Sequence, residues 1–253
     1  MTRFILKFLA TIICGFIPSR ALRHRIRIFM NNPSIRTYVR FVRDWADENC
    51  GGVQSLRMSF GVGGKNLVVL LNRAHVFKFP LDTVNKTIVT NELKICDALR
   101  PISPIYIPEL EIINWHGILV RRYEYVAGKL LCDFSVSQIM QNREKLATQL
   151  ANFMNVIGRA NPMSLRDLKP SPNARAGYMY GWFQNDIGQN FLMDDEFNIV
   201  GFIDWEGAAF CDWRPTLRMA ERFWNKNGYR GLMTDVLSEY SRLYYMDKPA
   251  AKK

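Results

Sequence analysis

Residues 185–208 read NDIGQNFLMDDEFNIVGFIDWEGA. Asp186 is followed four residues later by Asn190, then by the apolar triplet Phe191 to Met193, a polar DDEFN turn, and a second apolar run, IVGFI, that ends on Asp204. Two short apolar runs around a polar turn predict a β-hairpin over Phe191–Trp205. A carboxylate ending so apolar a strand is seldom structural beyond a turn cap. Hard oxygen donors such as Asp204 and Asn190 suit a divalent metal, and a carboxylate such as Asp186 can orient a hydroxyl and accept its proton.

Further upstream, LRMSF, GVGGKN, LVVLL and HVFKF alternate strand and turn between Leu56 and Pro80, which predicts a small antiparallel meander. Gly61, Gly63 and Gly64 would let backbone N–H groups approach a phosphate chain closely, although a plain hairpin turn would read the same way. Lys78 lies among apolar neighbours in VFKF, so its ammonium needs a partner or a sheet edge. Thr87–Arg100 reads as a helix carrying Glu92. Two strands follow, around Glu109–Asn114 and Gly117–Tyr125, and lead into EYVAG at 124–128. Beyond Gly128 the periodicity turns helical over Val136–Ile157, a polar Pro-rich stretch covers 161–173, and Pro215–Tyr245 returns to helix.

A glycine turn between strands, a strand Lys, a helix Glu, and a downstream Asp loop with an apolar hairpin form an ordered set of parts. In that order, from about Leu56 to Trp213, the chain resembles the protein-kinase-like superfamily, in its aminoglycoside phosphotransferase and bacterial lipopolysaccharide sugar kinase branch. The 185–208 stretch looks like the branch's H-x-D-x-x-x-x-N catalytic loop and I-D-W-E metal motif. The resemblance implies a two-lobed α+β fold, with a nucleotide-binding lobe at 44–127, a mainly helical catalytic lobe at 128–245 and a tail at 246–253. It implies ATP and Mg²⁺ as cofactors, Asp186 as the base, and Asp204 and Asn190 as metal ligands. Lys78 paired with Glu92 would contact the phosphates, the glycines would cradle them, and Glu124 and Val126 would belong to a hinge that meets the adenine through its backbone.

Two departures stand out. Gln184 occupies the position of the family's His, whose role in holding the loop by hydrogen bonds Gln184 could partly take over, and Asn190 comes one residue early. A second register is also open: RDLKPSPN at 166–173 reads like the R-D-L-K-P-E-N loop of protein kinases, with Asp167 as the base and Asp186-Ile187-Gly188 imitating D-F-G. The apolar hairpin expected between loop and metal Asp favours the first register, because ARAGYMYGWFQN, between Asn173 and Asp186, does not supply it.

Composition narrows the function classes. With 253 residues and 48% hydrophobic content, the chain can bury a core and is no disordered polymer. Five scattered Cys give no disulfide framework or zinc spacing, and three isolated His argue against a His-based triad. The net charge of +11 is concentrated: nine basic side chains and no acid lie in residues 1–43, leaving 25 basic against 23 acidic elsewhere. The body therefore lacks the charge excess that nucleic-acid binding requires.

Phe4–Ile17 is an apolar run broken by Lys7 and closed by Pro18, too short to cross a bilayer as a helix. ALRHRIRIFM after it is basic and amphipathic. FIPSRALRHRIR also resembles amino-terminal stretches of bacterial enzymes that build lipopolysaccharide or capsule. Residues 1–43 are thus expected to attach the protein peripherally to the anionic cytoplasmic face of the inner membrane, with an ordinary packed helix as the alternative. The acceptor expected is a hydroxyl of a saccharide or lipid-linked saccharide. Rival readings are a soluble aminoglycoside-type kinase, for which Glu221, Asp235 and Glu239 offer a thin acidic set, and a membrane-bound pseudokinase scaffold.

Overall fold

The computed structural model describes residues 35–60, 66–80 and 86–246, which divide into two units. The first holds the described residues up to Pro80 together with Glu111–Tyr125, and the second holds Lys86–Leu110 and the described residues from Val126 onward. The glycines at 61, 63 and 64 and the amino-terminal segment before Ile35 lie outside the described residues.

The first unit is a five-stranded antiparallel sheet under one helix. Strands β1 (Leu56–Phe60), β2 (Asn66–Leu71), β3 (His75–Pro80), β4 (Glu111–Trp115) and β5 (Ile118–Glu124) are ordered β1-β2-β3-β5-β4. The β2–β3 turn puts Asn72 and Arg73 at positive φ (51° and 55°), and the Asn72 side chain ties the turn to the backbone of Gln54 and Ser55. Helix α1 (Ile35–Asn49) buries Ile35, Tyr38, Val42 and Ala46 at three- and four-residue spacing against Leu67, Val69, Phe77 and Phe79. Tyr38 stacks on Phe79 with ring centroids 4.6 Å apart. The sequence reading did not single this helix out, and the expected boundary between 43 and 44 falls inside it. Arg36, Arg40 and Arg43, counted with the basic segment, project from its exposed face.

The second unit begins with α2 (Lys86–Leu99), which sequence order suggested would stay with the sheet. It is grouped instead with a 3₁₀ turn at Met163–Leu168, to which Lys94 Nζ reaches Asp167 Oδ2 at 3.0 Å. The expected helix 136–157 is two helices, α3 (Val136–Gln141) and α4 (Arg143–Arg159), separated at Asn142. β6 (Lys129–Leu130) joins β8 (Phe191–Met193) and β9 (Ile199–Phe202) in one sheet, while β7 (Tyr180–Phe183) pairs with β10 (Ala209–Asp212) in another. Helices α5 (Arg214–Lys226) and α6 (Leu232–Met246) close the unit, α6 packing along α4. Among the described residues no helix is long and apolar enough to cross a membrane.

One junction is tight enough to dictate sequence. A Cβ on Gly158 of α4 would overlap the Trp213 ring, and one on Gly181 of β7 would overlap the Gly158 carbonyl. Trp213 Nε1 donates to the Gly181 carbonyl at 3.1 Å, and its ring stacks on Phe183 at 5.1 Å. Two glycines and one tryptophan thus weld α4, β7 and the start of α5.

Candidate active site

Strand β7 runs directly into Gln184, which is 1% exposed. Its amide nitrogen donates to the carbonyls of Ile203 (3.1 Å) and Asp204 (2.6 Å), and its amide oxygen accepts the Asp186 backbone N–H at 2.8 Å. One buried amide therefore satisfies three backbone groups that would otherwise be stranded, and it fixes the Asp186 loop against the end of β9. Next to it Asn185 adopts φ 68° and donates to the Gly207 carbonyl at 2.7 Å, binding the loop to the far side of the same segment.

The expected hairpin is present as β8 and β9, paired antiparallel with a register shift at Leu192/Met193. Asp194 builds its turn, accepting the backbone N–H groups of Glu196 (3.0 Å) and Asn198 (2.8 Å). The hairpin carries Asp204 back towards Asp186. Asp204 itself has φ 60°, a left-handed conformation that costs a non-glycine residue energy and that the surrounding bonds hold in place. Trp205 Nε1 donates to the Phe202 carbonyl at 3.0 Å and anchors the turn that follows.

Asn190 Nδ2 donates to Asp186 Oδ2 at 2.9 Å, and the Ile203 N–H donates to the Asn190 carbonyl at 2.9 Å. The structure thus brings Asp186, Asn190 and Asp204 together despite the shortened spacing. Loss of water around its carboxyl, and secondly the Asp204 charge, push the Asp186 pKa above the usual carboxylate range, against the pull of bonds from Asn190 and Gln189. Asp186 nevertheless stays exposed to solvent. Two mutually repelling carboxylates and an amide oxygen are hard donors whose repulsion a divalent cation would relieve. Among the described residues no set of three His, Cys, Asp or Glu gathers, so a divalent cation held by Asp186, Asn190 and Asp204 would need further ligands such as phosphate and water.

Asp167, the alternative base, is exposed and held by Lys94, which lowers its pKa through their hydrogen bond. No hairpin follows it: the chain between it and Asp186 supplies β7 alone, whose partner β10 comes after Asp204.

In the first unit Lys78 is 4% exposed and lies directly opposite Arg121 across the β3–β5 ladder, on the same face. Arg121 is 1% exposed and donates to Asn66 Oδ1 at 2.7 Å. Sequence reading passed over Arg121, which alternation in ILVRRYE could have set beside Lys78. Glu92, on α2 of the second unit, is 3% exposed among Val89, Ile95 and Cys96. At the expected hinge, Glu124 is exposed and the Tyr125 N–H donates to Ala74 O at 2.7 Å. The Val126 side chain packs where a Cβ on Gly201 would stand, 2.9 Å away, so the hinge exit lies close on β9.

No family model matches the chain, and no curated protein matches it in sequence. Solved structures do. APH(2")-IIia, solved with GDP and kanamycin, superposes with a TM-score of 0.60 over 81% of this chain and 82% of its own, at 17% identity. APH(2")-IIa, solved as a streptomycin–ATP ternary complex, gives 0.59 over 80% and 81%, at 12% identity. The fold is that of the aminoglycoside phosphotransferases. The apoenzyme of macrolide 2'-phosphotransferase MphH from Brachybacterium faecium shares it, with a TM-score of 0.56 over 81% and 83% at 13% identity. The two-lobed α+β class expected from the sequence is the class of these aminoglycoside and macrolide phosphotransferases, and the identities are low enough that the likeness speaks for the fold alone.

Proposed function

We propose that this protein is an ATP- and Mg²⁺-dependent phosphotransferase acting on a saccharide hydroxyl. The observation that carries the reading is the grouping of Asp186, Asn190 and Asp204, held by Gln184 in the order the phosphotransferase resemblance implies. Asp186 accepts the proton of the attacking hydroxyl, and its raised pKa makes it a stronger base than an ordinary carboxylate. Asp204 and the Asn190 amide oxygen would hold Mg²⁺, which when bound neutralises the charge developing on the transferred phosphoryl. Lys78, paired with Glu92, and Arg121 beside it would steady the nucleotide phosphates, covered by the glycines at 61, 63 and 64. The backbone at Glu124 and Val126 would meet the adenine.

For the acceptor, the acids that a cationic aminoglycoside would need are engaged otherwise. Asp235 pairs with Arg143 at 3.3 Å, Glu239 pairs with Arg242, and Glu221 lies in a crevice with Arg214 and Arg218. A neutral or anionic saccharide suits such a surface better, and the basic amphipathic amino terminus supports a lipid-linked one, as in lipopolysaccharide or surface-polysaccharide assembly at the cytoplasmic face of the inner membrane. The test is Mg²⁺-dependent transfer of labelled γ-phosphate from ATP to lipopolysaccharide core saccharides, with Asp186→Asn as control. Transfer that Asp186→Asn abolishes supports the reading. Nucleotide binding without transfer to any saccharide would leave the scaffold role instead.

A further inference from the structure

A cavity of about 560 Å³ opens in the second unit where the end of α4, the 169–176 loop, β10 and α6 meet. Three of its lining residues are cations, Arg159, Lys169 and Arg175, and among its described lining residues there is no acid. Its two aromatic walls, Phe210 and Tyr244, are mostly buried at 5% and 8% exposure.

Lys169 is positioned by neutral partners and keeps its charge. Lys169 Nζ lies 4.9 Å from the Phe210 ring centre and donates to Asn161 Oδ1 (2.5 Å) and the Ala174 carbonyl (3.2 Å), all neutral partners. Arg159 lies over the Tyr244 ring at 4.7 Å and donates to the Tyr244 carbonyl at 2.6 Å. Among the described residues, no carboxylate comes within ion-pair distance of Lys169 or Arg175. Aromatic faces and carbonyls orient a cation while leaving its charge to act on whatever enters. The volume exceeds that of a bare phosphate and falls in the range of small-molecule sites.

We infer that this cavity is a binding site for an anionic saccharide, a sugar ring bearing phosphate or carboxylate, whose charge meets Lys169 and Arg175 while the ring fills the space beside Phe210 and Asn161. The choice of a sugar among anions rests on the phosphotransferase reading above. The cavity is separate along the chain from the proposed transfer residues, although Phe210 pairs in register with Trp182, two residues before Gln184. The same chemistry disfavours cationic aminoglycosides in the cavity, since Lys169 and Arg175 would repel them.

The experiment is isothermal titration of the full chain with glucose 6-phosphate, glucose, inorganic phosphate and kanamycin in solution, and with lipid A in detergent micelles. The expected result is saturable binding of glucose 6-phosphate or lipid A, at least tenfold tighter than inorganic phosphate, with none for glucose or kanamycin. Arg175→Ala, at an exposed position, should weaken it about tenfold or more, and Lys169→Met further. Binding of the free sugar phosphate marks a soluble ligand, and binding of lipid A alone marks a glycolipid. Absence of both, or affinity unchanged in a folded Arg175→Ala protein, overturns the inference. Mg²⁺-ATP titrated into the same samples separates the two readings: nucleotide binding and transfer that survive without cavity binding would sink the cavity alone, and the reverse would sink the phosphotransferase alone.

Discussion

Gln184 and Asp204 are joined by a 2.6 Å hydrogen bond from a buried side-chain amide to a backbone carbonyl, while the other end of the same amide receives the N–H of Asp186. A single uncharged residue thus sets the separation of the two carboxylates. Gln184→Ala should cost about 1–3 kcal/mol in chemical denaturation, the penalty for stranding buried backbone groups, and should reduce phosphate transfer more than nucleotide binding. Gln184→His should retain most of both. Wild-type transfer in a folded Gln184→Ala protein would show that the loop needs no such tie.

The raised pKa of Asp186 has a stability signature of definite sign. As pH rises past the ordinary carboxylate value of 3.8 the unfolded chain gives up this proton first, and the folded protein follows only at its higher pKa. Stability is therefore lost across that window and stays lower above it. Asp186→Asn removes the charge, so in metal-free buffer at neutral pH it should melt higher than wild type, with the advantage vanishing below the window. Its transfer activity should nonetheless fall roughly 10²- to 10⁴-fold. A neutral-pH melting temperature lower than wild type would contradict this account of the Asp186 environment.

Asp204→Asn and Asp167→Asn separate the two registers. The first should abolish the Mg²⁺-dependent part of nucleotide binding. The second removes only an exposed contact with Lys94, which should change stability by less than about 1 kcal/mol and leave transfer intact. Loss of transfer in Asp167→Asn with Asp204→Asn active would reverse the assignment.

Arg121, buried opposite Lys78, tests the proposed nucleotide site. Arg121→Met should weaken ATP binding about tenfold, the scale of one charge-assisted hydrogen bond, because Lys78 then faces the phosphates alone. Unchanged ATP affinity with a large drop in melting temperature would make Arg121 a structural partner of Asn66 only.

The legible parts of the sequence were those in which periodicity and chemistry coincide. The β2–β3 meander and the β8–β9 hairpin follow from alternation with turn residues between apolar runs, and Asp204 stood out because a charge ends an apolar strand. The helix Ile35–Asn49 was masked by its own arginines, whose basic run continues that of the preceding segment although they occupy only its solvent face. β7 and β10 are four residues each, shorter than a periodicity can register, and their pairing bridges the whole hairpin. The cavity cations at 159, 169 and 175 come from a helix end and an irregular loop, so only the folded chain shows them together.

The junction of Gly158, Gly181 and Trp213 leaves no clearance between α4 and β7. Helix and strand meet there backbone to backbone, with no room for a methyl group between them. Arg159 follows Gly158 directly in the chain, and Gln184 lies three residues beyond Gly181. A cation of the cavity and the clamp of the carboxylates therefore sit one and three residues from a single glycine-to-glycine seam, so a side chain added at Gly158 or Gly181 would disturb the footing of both.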